Sequence, residues 1–244
     1  MEFGVNELQH VSIIIPVYNE GSIIAKNLDT LCDFMKHESY EILVCNDCSQ
    51  DKTHEILAIV SEKHPSIRPL HFNQRIGKGG TIKAAIEKAK GDIIVIMDVD
   101  LATDLRHITE LIGMAETNRA LIIGERNVHD RLTQGYSRVL LSLGYNLLVR
   151  LLFRTGIADH QCGFKGLRNA DAKMLIQHVM DNGFSFDTEL ILRARKFGPP
   201  IMKISVRWRE KRPKGKSRFK PLRTTLTMAV GLIAIALRQQ LQSH

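Results

Sequence analysis

The chain is poor in aromatic residues and cysteines, and it has no long apolar run. Only 6% of its 244 residues are aromatic, and it has four cysteines and one tryptophan. The cysteines lack the pattern of a secreted disulfide framework. The longest apolar run, Leu226 to Leu237, is shorter than the about 18 to 20 residues of a membrane span, and no signal peptide is visible. We therefore expect no transmembrane span, although this run could lie in a membrane interface.

The common phosphate-binding loops are also missing, since neither GxxxxGK[ST] nor GxGxxG occurs. Cys45 and Cys48 have the CxxC spacing, but no second CxxC or HxxxH accompanies them to complete a zinc site. The pair follows a predicted strand, whereas a thioredoxin-like site would open a helix. We expect reduced, structural thiols in a cytosolic setting.

Positive charge is concentrated in one stretch of the chain. The net charge is +8, and Lys203 to Arg223 contains ten Lys or Arg against one acid, Glu210. This stretch therefore carries +9 and the remainder −1. Such a local excess indicates an anionic partner: phosphate, nucleic acid or an anionic membrane surface. The hydrophobic fraction of 44% predicts one α/β domain with a full core.

The most informative segment is GDIIVIMDVDLAT, at 91–103. Its apolar run, Ile93 to Met97, predicts a strand buried on both faces of a parallel sheet. Asp98 and Asp100 follow directly, at the carboxyl end of the strand, where such sheets bind ligands. Paired carboxylates suit Mg²⁺ or Mn²⁺, which can bridge to substrate phosphates. A solvated loop or a pair of helix caps would explain a lone DxD equally well.

Three strand–helix units precede this segment and predict parallel strands with right-handed crossovers. The predicted strands are Val11 to Ile15, Glu41 to Cys45 and Ile67 to Phe72. Asp47 and a glycine-rich loop ending in Gly77–Gly80 should then lie at the same sheet edge as the DxD carboxylates. The glycines would allow close approach to a ligand, or simply a tight helix entry.

Two segments have ambiguous amphipathic patterns. Val139 to Phe153 is apolar except for polar residues four apart, and it predicts either a membrane-surface helix or a core helix with one polar stripe. Leu222 to Gln240 predicts an interfacial helix. We divide the chain into a catalytic domain, 1–221, and a C-terminal amphipathic helix, 222–244. The polar stripe consists of Ser142, Asn146 and Arg150.

Taken together, these motifs resemble the family 2 glycosyltransferases of GT-A fold. The resemblance covers nearly the whole chain and implies a Rossmann-like, mostly parallel sheet flanked by helices. GKGG with QCGFK is most similar to the dolichyl-phosphate glucosyltransferase branch, with the dolichyl-phosphate mannose synthases close behind. The motifs are IIPVYNE at 14–20 with the preceding Ile13, CNDCSQDKT at 45–53, GKGG at 77–80, DVD at 98–100, QCGFK at 161–165 and FDTEL at 186–190.

The resemblance implies a role for each of these segments on the donor side. A divalent metal, Mg²⁺ or Mn²⁺, would be bound by Asp100 with Asp98 and would bridge the donor diphosphate. Some mannose synthases have a further metal ligand two residues on, where this chain has Ala102. The residues implied to bind the donor nucleotide are Pro16, Tyr18, Glu20, Asp47, Lys78 and Asp98.

On the acceptor side, the resemblance implies a lipid phosphate, which is already an anionic nucleophile. Arginine matches phosphate geometry, and a mobile basic loop, Arg209 to Ser217, would close over the substrates. If a general base is needed, Asp159 or Asp187 is the candidate. The implied catalytic residues are Asp100, Asp159, Asp187 and Arg126, and the implied acceptor-phosphate residues are Arg126, Arg138, Gln161, Arg209, Lys214, Lys216 and Ser217.

We therefore expect an inverting transferase that moves a hexose from a sugar nucleotide to dolichyl or polyprenyl phosphate. The expected donor is UDP-glucose and the expected sugar is glucose. Membrane association would be peripheral, on the cytoplasmic face. The alternatives are a GDP-mannose-dependent synthase, a transferase acting on a glycan hydroxyl, and a non-catalytic basic protein that binds membrane or nucleic acid. No nucleic-acid-binding motif occurs, and few aromatics interleave the charges, so we expect no nucleic-acid partner.

Overall fold

A seven-stranded sheet forms the centre of the protein. The structure, a computed structural model, describes residues 10–127, 136–211 and 221–241. The spatial order of the strands is β3-β2-β1-β4-β6-β5-β7. The strands are β1 (Val11–Val17), β2 (Tyr40–Asn46), β3 (Ile67–His71), β4 (Ile93–Ile96), β5 (Leu121–Arg126), β6 (Lys165–Arg168) and β7 (Ile201–Val206).

The sheet is mostly parallel, as the sequence predicts. Strands β1 to β4 run parallel to one another, and β7 runs parallel to β5. Strand β6 is antiparallel to both β4 and β5, between which it lies. Because β1 to β4 point the same way, the loops that follow β1, β2 and β4 emerge at one edge.

Helices cover both faces of the sheet and explain its apolar strands. Along β1, Ile13 and Ile15 pack into the core on one face and Ile14 into the core on the other. All three are fully buried, as expected for a strand without a solvent face. The helices are α1 (Ile24–Met35), α2 (Thr53–Lys63), α3 (Gly77–Lys88), α4 (His107–Asn118), α5 (Tyr136–Phe153), α6 (Asn169–Ile176), α7 (Phe186–Phe197) and α8 (Pro221–Leu241).

The GKGG segment differs from its prediction as a loop: it is the first turn of α3. Gly77 has φ +81°, a conformation that favours glycine, and a Cβ at this position would lie 2.3 Å from the carbonyl oxygen of Asn182. A Cβ at Gly79 would lie 2.6 Å from Cβ of Phe186. The glycines therefore let α3 begin directly against the segment that leads into α7.

Helices α5 and α8 pack on each other through a small separate apolar cluster of Tyr145, Val149, Met228 and Leu232. The polar stripe predicted on α5 is not solvated throughout, because Asn146 is buried. Among the described residues, we find no helix with the length and hydropathy needed to cross a bilayer. The outer surface of the pair is apolar and exposed, and we call it the leucine face: Leu140, Leu143, Leu147, Leu148, Leu151, Leu152, Val230, Ile233 and Leu237.

Candidate active site

The DxD carboxylates lie just beyond β4, at the edge where the parallel strands end. The Asp98 side chain is 50% exposed, and its carboxylate is 3.4 Å from Nζ of Lys78. Asp100 Oδ1 accepts a hydrogen bond from the amide of Ala102 at 3.1 Å. A Cβ on Gly163 would lie 2.3 Å from Asp98 Oδ2, so the QCGFK segment passes directly against this carboxylate.

Asp47 is buried at the end of β2, where it holds the start of α3. Its carboxylate accepts hydrogen bonds from Nε of Arg75 at 2.9 Å and from the amides of Ile76 at 2.7 Å and Gly77 at 3.2 Å. The Arg75 guanidinium in turn lies 3.5 Å from the centroid of the Tyr18 ring. Tyr18 and Asp47 thus meet through an arginine that the sequence did not identify.

The turn after β1 is tied to the turn after β2. Pro16 is on β1, in register with Cys45, and the amide of Glu20 donates to Thr53 Oγ1 at 2.8 Å. Asn19, which has a positive φ of 55°, accepts from the amide of Gln50 at 2.6 Å. These bonds hold the two predicted donor segments together as one surface.

Three charged side chains from distant parts of the chain form a buried cluster behind Asp98. Asp187, in the first turn of α7, accepts from Lys78 Nζ at 3.0 Å and from Lys165 Nζ at 2.6 Å. Burial alone would raise the pKa of Asp187, but the two ammonium groups hold it below its ordinary value. Burial opposes the charge on Lys78, yet the carboxylates of Asp187 and Asp98 outweigh it and raise the pKa of Lys78.

Arg126, the last residue of β5, forms a two-pronged pair with Asp159. Its Nε and Nη2 donate to the two carboxylate oxygens at 2.7 and 3.0 Å. Although burial opposes the charge, Asp159 and, further off, Asp98 raise the pKa of Arg126. The Trp208 ring lies 5.5 Å from the guanidinium carbon. Trp208 is bridged to Thr103, three residues after Asp100, so this ring connects Arg126 to the segment that carries the DxD carboxylates.

The QCGFK loop is fixed from beneath by a buried polar cluster. Asn146 Oδ1 on α5 accepts from the amide of His160 at 2.9 Å and lies 3.0 Å from its Nδ1. Thr155 Oγ1 lies 2.7 Å from Nε2 of the same ring. Burial, with a contribution from the charge of Lys165, lowers the pKa of His160 to about 4. Gln161 Nε2 is 3.3 Å from Met228 Sδ, so the loop also contacts α8.

The predicted basic loop is described only at its start. The exposed Arg209 donates its amide to the carbonyl of Ala102 at 2.9 Å, next to a bridge between Thr103 and Trp208. The stretch therefore leaves the sheet beside Asp100. The Arg138 side chain and the residues Lys214, Lys216 and Ser217 lie outside the part of the chain that the structure describes.

Sequence reasoning gave no site role to Lys165 or Arg75, and it placed Asn146 in a polar stripe without predicting its contact with His160. Lys165 is the last residue of the QCGFK motif. A lysine at the start of a strand expected to be buried needs a partner for its charge, and this could have indicated its role. Arg75 had no signal, because its partners Asp47 and Tyr18 are far along the chain. All four cysteines, including Cys45 and Cys48, are free thiols, so no disulfide forms between them.

The strand order and the carboxylates beyond β4 put the candidate site at the carboxyl ends of the parallel strands of an α/β sheet, where such sheets bind ligands. Residues 12–175 match the Glycosyl transferase family 2, and the chain belongs to that family. It is 35% identical over 224 residues to Glycosyltransferase AglD of Haloferax volcanii, covering 89% of this chain but 35% of that protein. The chain thus spans about a third of the length of this relative.

A second relative matches more of its own length. The dolichyl-phosphate beta-glucosyltransferase of Dictyostelium discoideum is 30% identical over 246 residues, covering 94% of this chain and 74% of that protein. Among solved structures, glucosyl-3-phosphoglycerate synthase from Mycobacterium tuberculosis, in complex with Mn²⁺, UDP and phosphoglyceric acid, superposes with a TM-score of 0.67. It is 17% identical and covers 93% of this chain and 78% of that one, a likeness that confirms the fold.

Proposed function

We propose that the protein is an inverting transferase that moves glucose from UDP-glucose to dolichyl or another polyprenyl phosphate. The observation that carries this proposal is that both candidate general bases are already paired with cationic side chains. Asp159 is paired with Arg126, and Asp187 with Lys165 and Lys78. A hydroxyl acceptor needs a carboxylate that can take its proton, whereas an ionised phosphate needs only to be held in place.

The donor side fits a nucleoside diphosphate with a divalent metal. Among the described residues, no three acidic, histidine or cysteine side chains gather as a metal cluster. Two carboxylates are nevertheless the number of protein ligands expected for Mg²⁺ or Mn²⁺ when substrate phosphates and water supply the remaining ligands. Asp98 and Asp100 would hold the ion, which when bound neutralises charge on the departing diphosphate. Tyr18, Asp47 and the other predicted donor residues would then surround the nucleotide.

The acceptor side would be formed around Arg126. Asp159 binds Nε and Nη2, so it fixes the plane of the guanidinium and the direction in which the group faces. The basic stretch that starts at Arg209 beside Ala102 would add charge over the phosphate. Names of the curated relatives, which include dolichyl-phosphate beta-glucosyltransferases, support glucose and dolichyl phosphate over GDP-mannose.

We also propose that the leucine face rests on the bilayer that carries the acceptor. Its side chains are exposed although apolar; Leu140 and Leu151, for example, have relative exposures of 72% and 69%. A patch of this kind, on a helix pair whose α8 follows a strongly basic stretch in the sequence, suits the anionic cytoplasmic surface of a membrane. Attachment of this kind would be peripheral and would weaken as salt rises.

The test is a panel of labelled sugar nucleotides incubated with the protein, dolichyl phosphate and Mn²⁺ or Mg²⁺. We expect UDP-glucose to deliver label to the organic phase, and chelation of the metal to abolish the signal. Label from GDP-mannose alone would replace the donor assignment. Absence of organic-phase label with every donor would contradict the proposed function.

A further inference from the structure

The Asp187 carboxylate is shared between two lysines, one on each oxygen. Oδ1 is 2.6 Å from Lys165 Nζ, and Oδ2 is 3.0 Å from Lys78 Nζ. The three residues come from β6, α3 and α7, so the contact exists only in the folded chain. Asp187 is 3% exposed, and a base at this position would have to release both ammonium groups before it could accept a proton.

Asp187 alone cannot neutralise two ammonium groups, and one of the two, Lys78, has Asp98 as a second partner. The Lys165 side chain is 1% exposed, so water cannot solvate its charge, and Asp187 must balance it. The Lys78 ammonium is less buried and lies 3.4 Å from the half-exposed carboxylate of Asp98. Lys78 therefore bridges the buried Asp187 and the half-exposed Asp98, which places its ammonium group at the DxD edge. A fixed cation at that place is suited to a diphosphate that gains charge as it leaves.

We propose that Asp187 is a positioning residue, which with Lys165 as its buried counter-ion holds the Lys78 ammonium against the donor diphosphate. Lys165 fixes the carboxylate, and the carboxylate fixes Lys78. This inference rests on the proposed function only in taking a nucleoside diphosphate as the donor's leaving group. It assigns Asp187 a role through Lys78 in place of the general-base role considered from the sequence.

The test measures nucleoside diphosphate binding, which requires no acceptor and no turnover. UDP with Mn²⁺ is titrated by calorimetry into wild type, Lys78→Met, Asp187→Asn and the double variant, with GDP as a second probe. We expect each single substitution to weaken UDP binding by about tenfold or more. Lys78→Met removes the ammonium group that would bind phosphate, and Asp187→Asn removes the carboxylate that holds this group in place. The double variant should bind no worse than Lys78→Met within about threefold, because both changes act on one group.

Asp187→Asn leaves Lys165 buried without a counter-charge and could fail to fold. Asp187→Asn combined with Lys165→Met removes that problem while still releasing Lys78. We expect this variant to melt closer to wild type than Asp187→Asn alone and to bind UDP with Mn²⁺ as weakly as Lys78→Met. Wild-type affinity in this folded variant would overturn the proposal.

A general base would give a different pattern. Asp187→Asn would then leave UDP affinity within about twofold of wild type while kcat fell by about a hundredfold or more, the usual contribution of a positioned base. That result overturns the positioning role and leaves the proposed function standing. If wild type binds neither UDP nor GDP in the presence of Mn²⁺, the proposed function fails with it.

Discussion

Replacing Gly163 by alanine should disable the DxD site without damaging the fold. Gly163 does not have a positive φ, so alanine is compatible with its backbone. The added Cβ would lie 2.3 Å from Asp98 Oδ2 and 2.9 Å from Oδ1. Since non-bonded carbon atoms pack at about 3.5 to 4.0 Å, the carboxylate must move by about 1 Å.

The size of the effect follows from where the carboxylate can go. The Asp98 side chain is 50% exposed, so it can turn into solvent, and the free energy of unfolding should change by no more than about 1 kcal/mol. For the donor, a displacement of about 1 Å is large, since misplacements of that size cost on the order of a hundredfold in rate. We expect about this loss in kcat/KM for UDP-glucose.

The assay pairs organic-phase label transfer with UDP·Mn²⁺ calorimetry and urea unfolding. Gly113→Ala is the matched control, because a Cβ there meets nothing within 4 Å. It should leave transfer and binding near wild type and should raise the free energy of unfolding by about 0.5 to 1 kcal/mol, because alanine favours a helix interior over glycine. Full donor binding and turnover in Gly163→Ala would refute the claim that the position of the Asp98 carboxylate matters for the donor.

Other substitutions separate donor, acceptor and stability. Asp100→Asn should abolish Mn²⁺-dependent UDP binding in calorimetry with an unchanged circular dichroism spectrum; unchanged turnover would remove it from the metal site. Arg126→Lys should raise KM for dolichyl phosphate about tenfold at constant donor KM, because lysine lacks the fork; an equal donor defect would misplace the arginine. Glu189→Gln should lower the free energy of unfolding in urea by about 3 kcal/mol, since Arg193 stays buried beside it; a loss below about 1 kcal/mol would contradict this. Because burial lowers the pKa of His160 from 6.5 to about 4, the unfolded chain binds a proton that the folded chain does not, and stability should fall as pH drops through that window. His160→Gln should flatten the urea-unfolding profile there, and an unchanged profile would exclude this residue as its source.

The parts of the fold that local pattern decides could be predicted from the sequence. The run from Ile93 to Met97 indicates a strand buried on both faces, and β4 is that strand. The convergence of Asp98, Asp100 and the end of β2 follows from parallel strands alone. The predicted helices Val139 to Phe153 and Leu222 to Gln240 differ from α5 and α8 by at most three residues at either end, which is the normal uncertainty of helix ends.

Features that depend on contacts between distant segments could not be predicted. In strand β6, the burial of the first residue, Lys165, depends on an ion pair with the distant Asp187 rather than on hydrophobicity. The antiparallel position of this strand between β4 and β5 has no local signature. Arg75 likewise acquires its role only when α3 meets Tyr18 and Asp47.

The central claim is that the acceptor arrives already ionised, so that the site holds it and need not deprotonate it. The most direct measurement compares dolichyl phosphate with the free alcohol of the same chain length, using labelled UDP-glucose and Mn²⁺. We predict transfer to the phosphate and none above background to the alcohol. Comparable transfer to both would contradict the account, because it would require a base that neither Asp159 nor Asp187, as paired here, supplies.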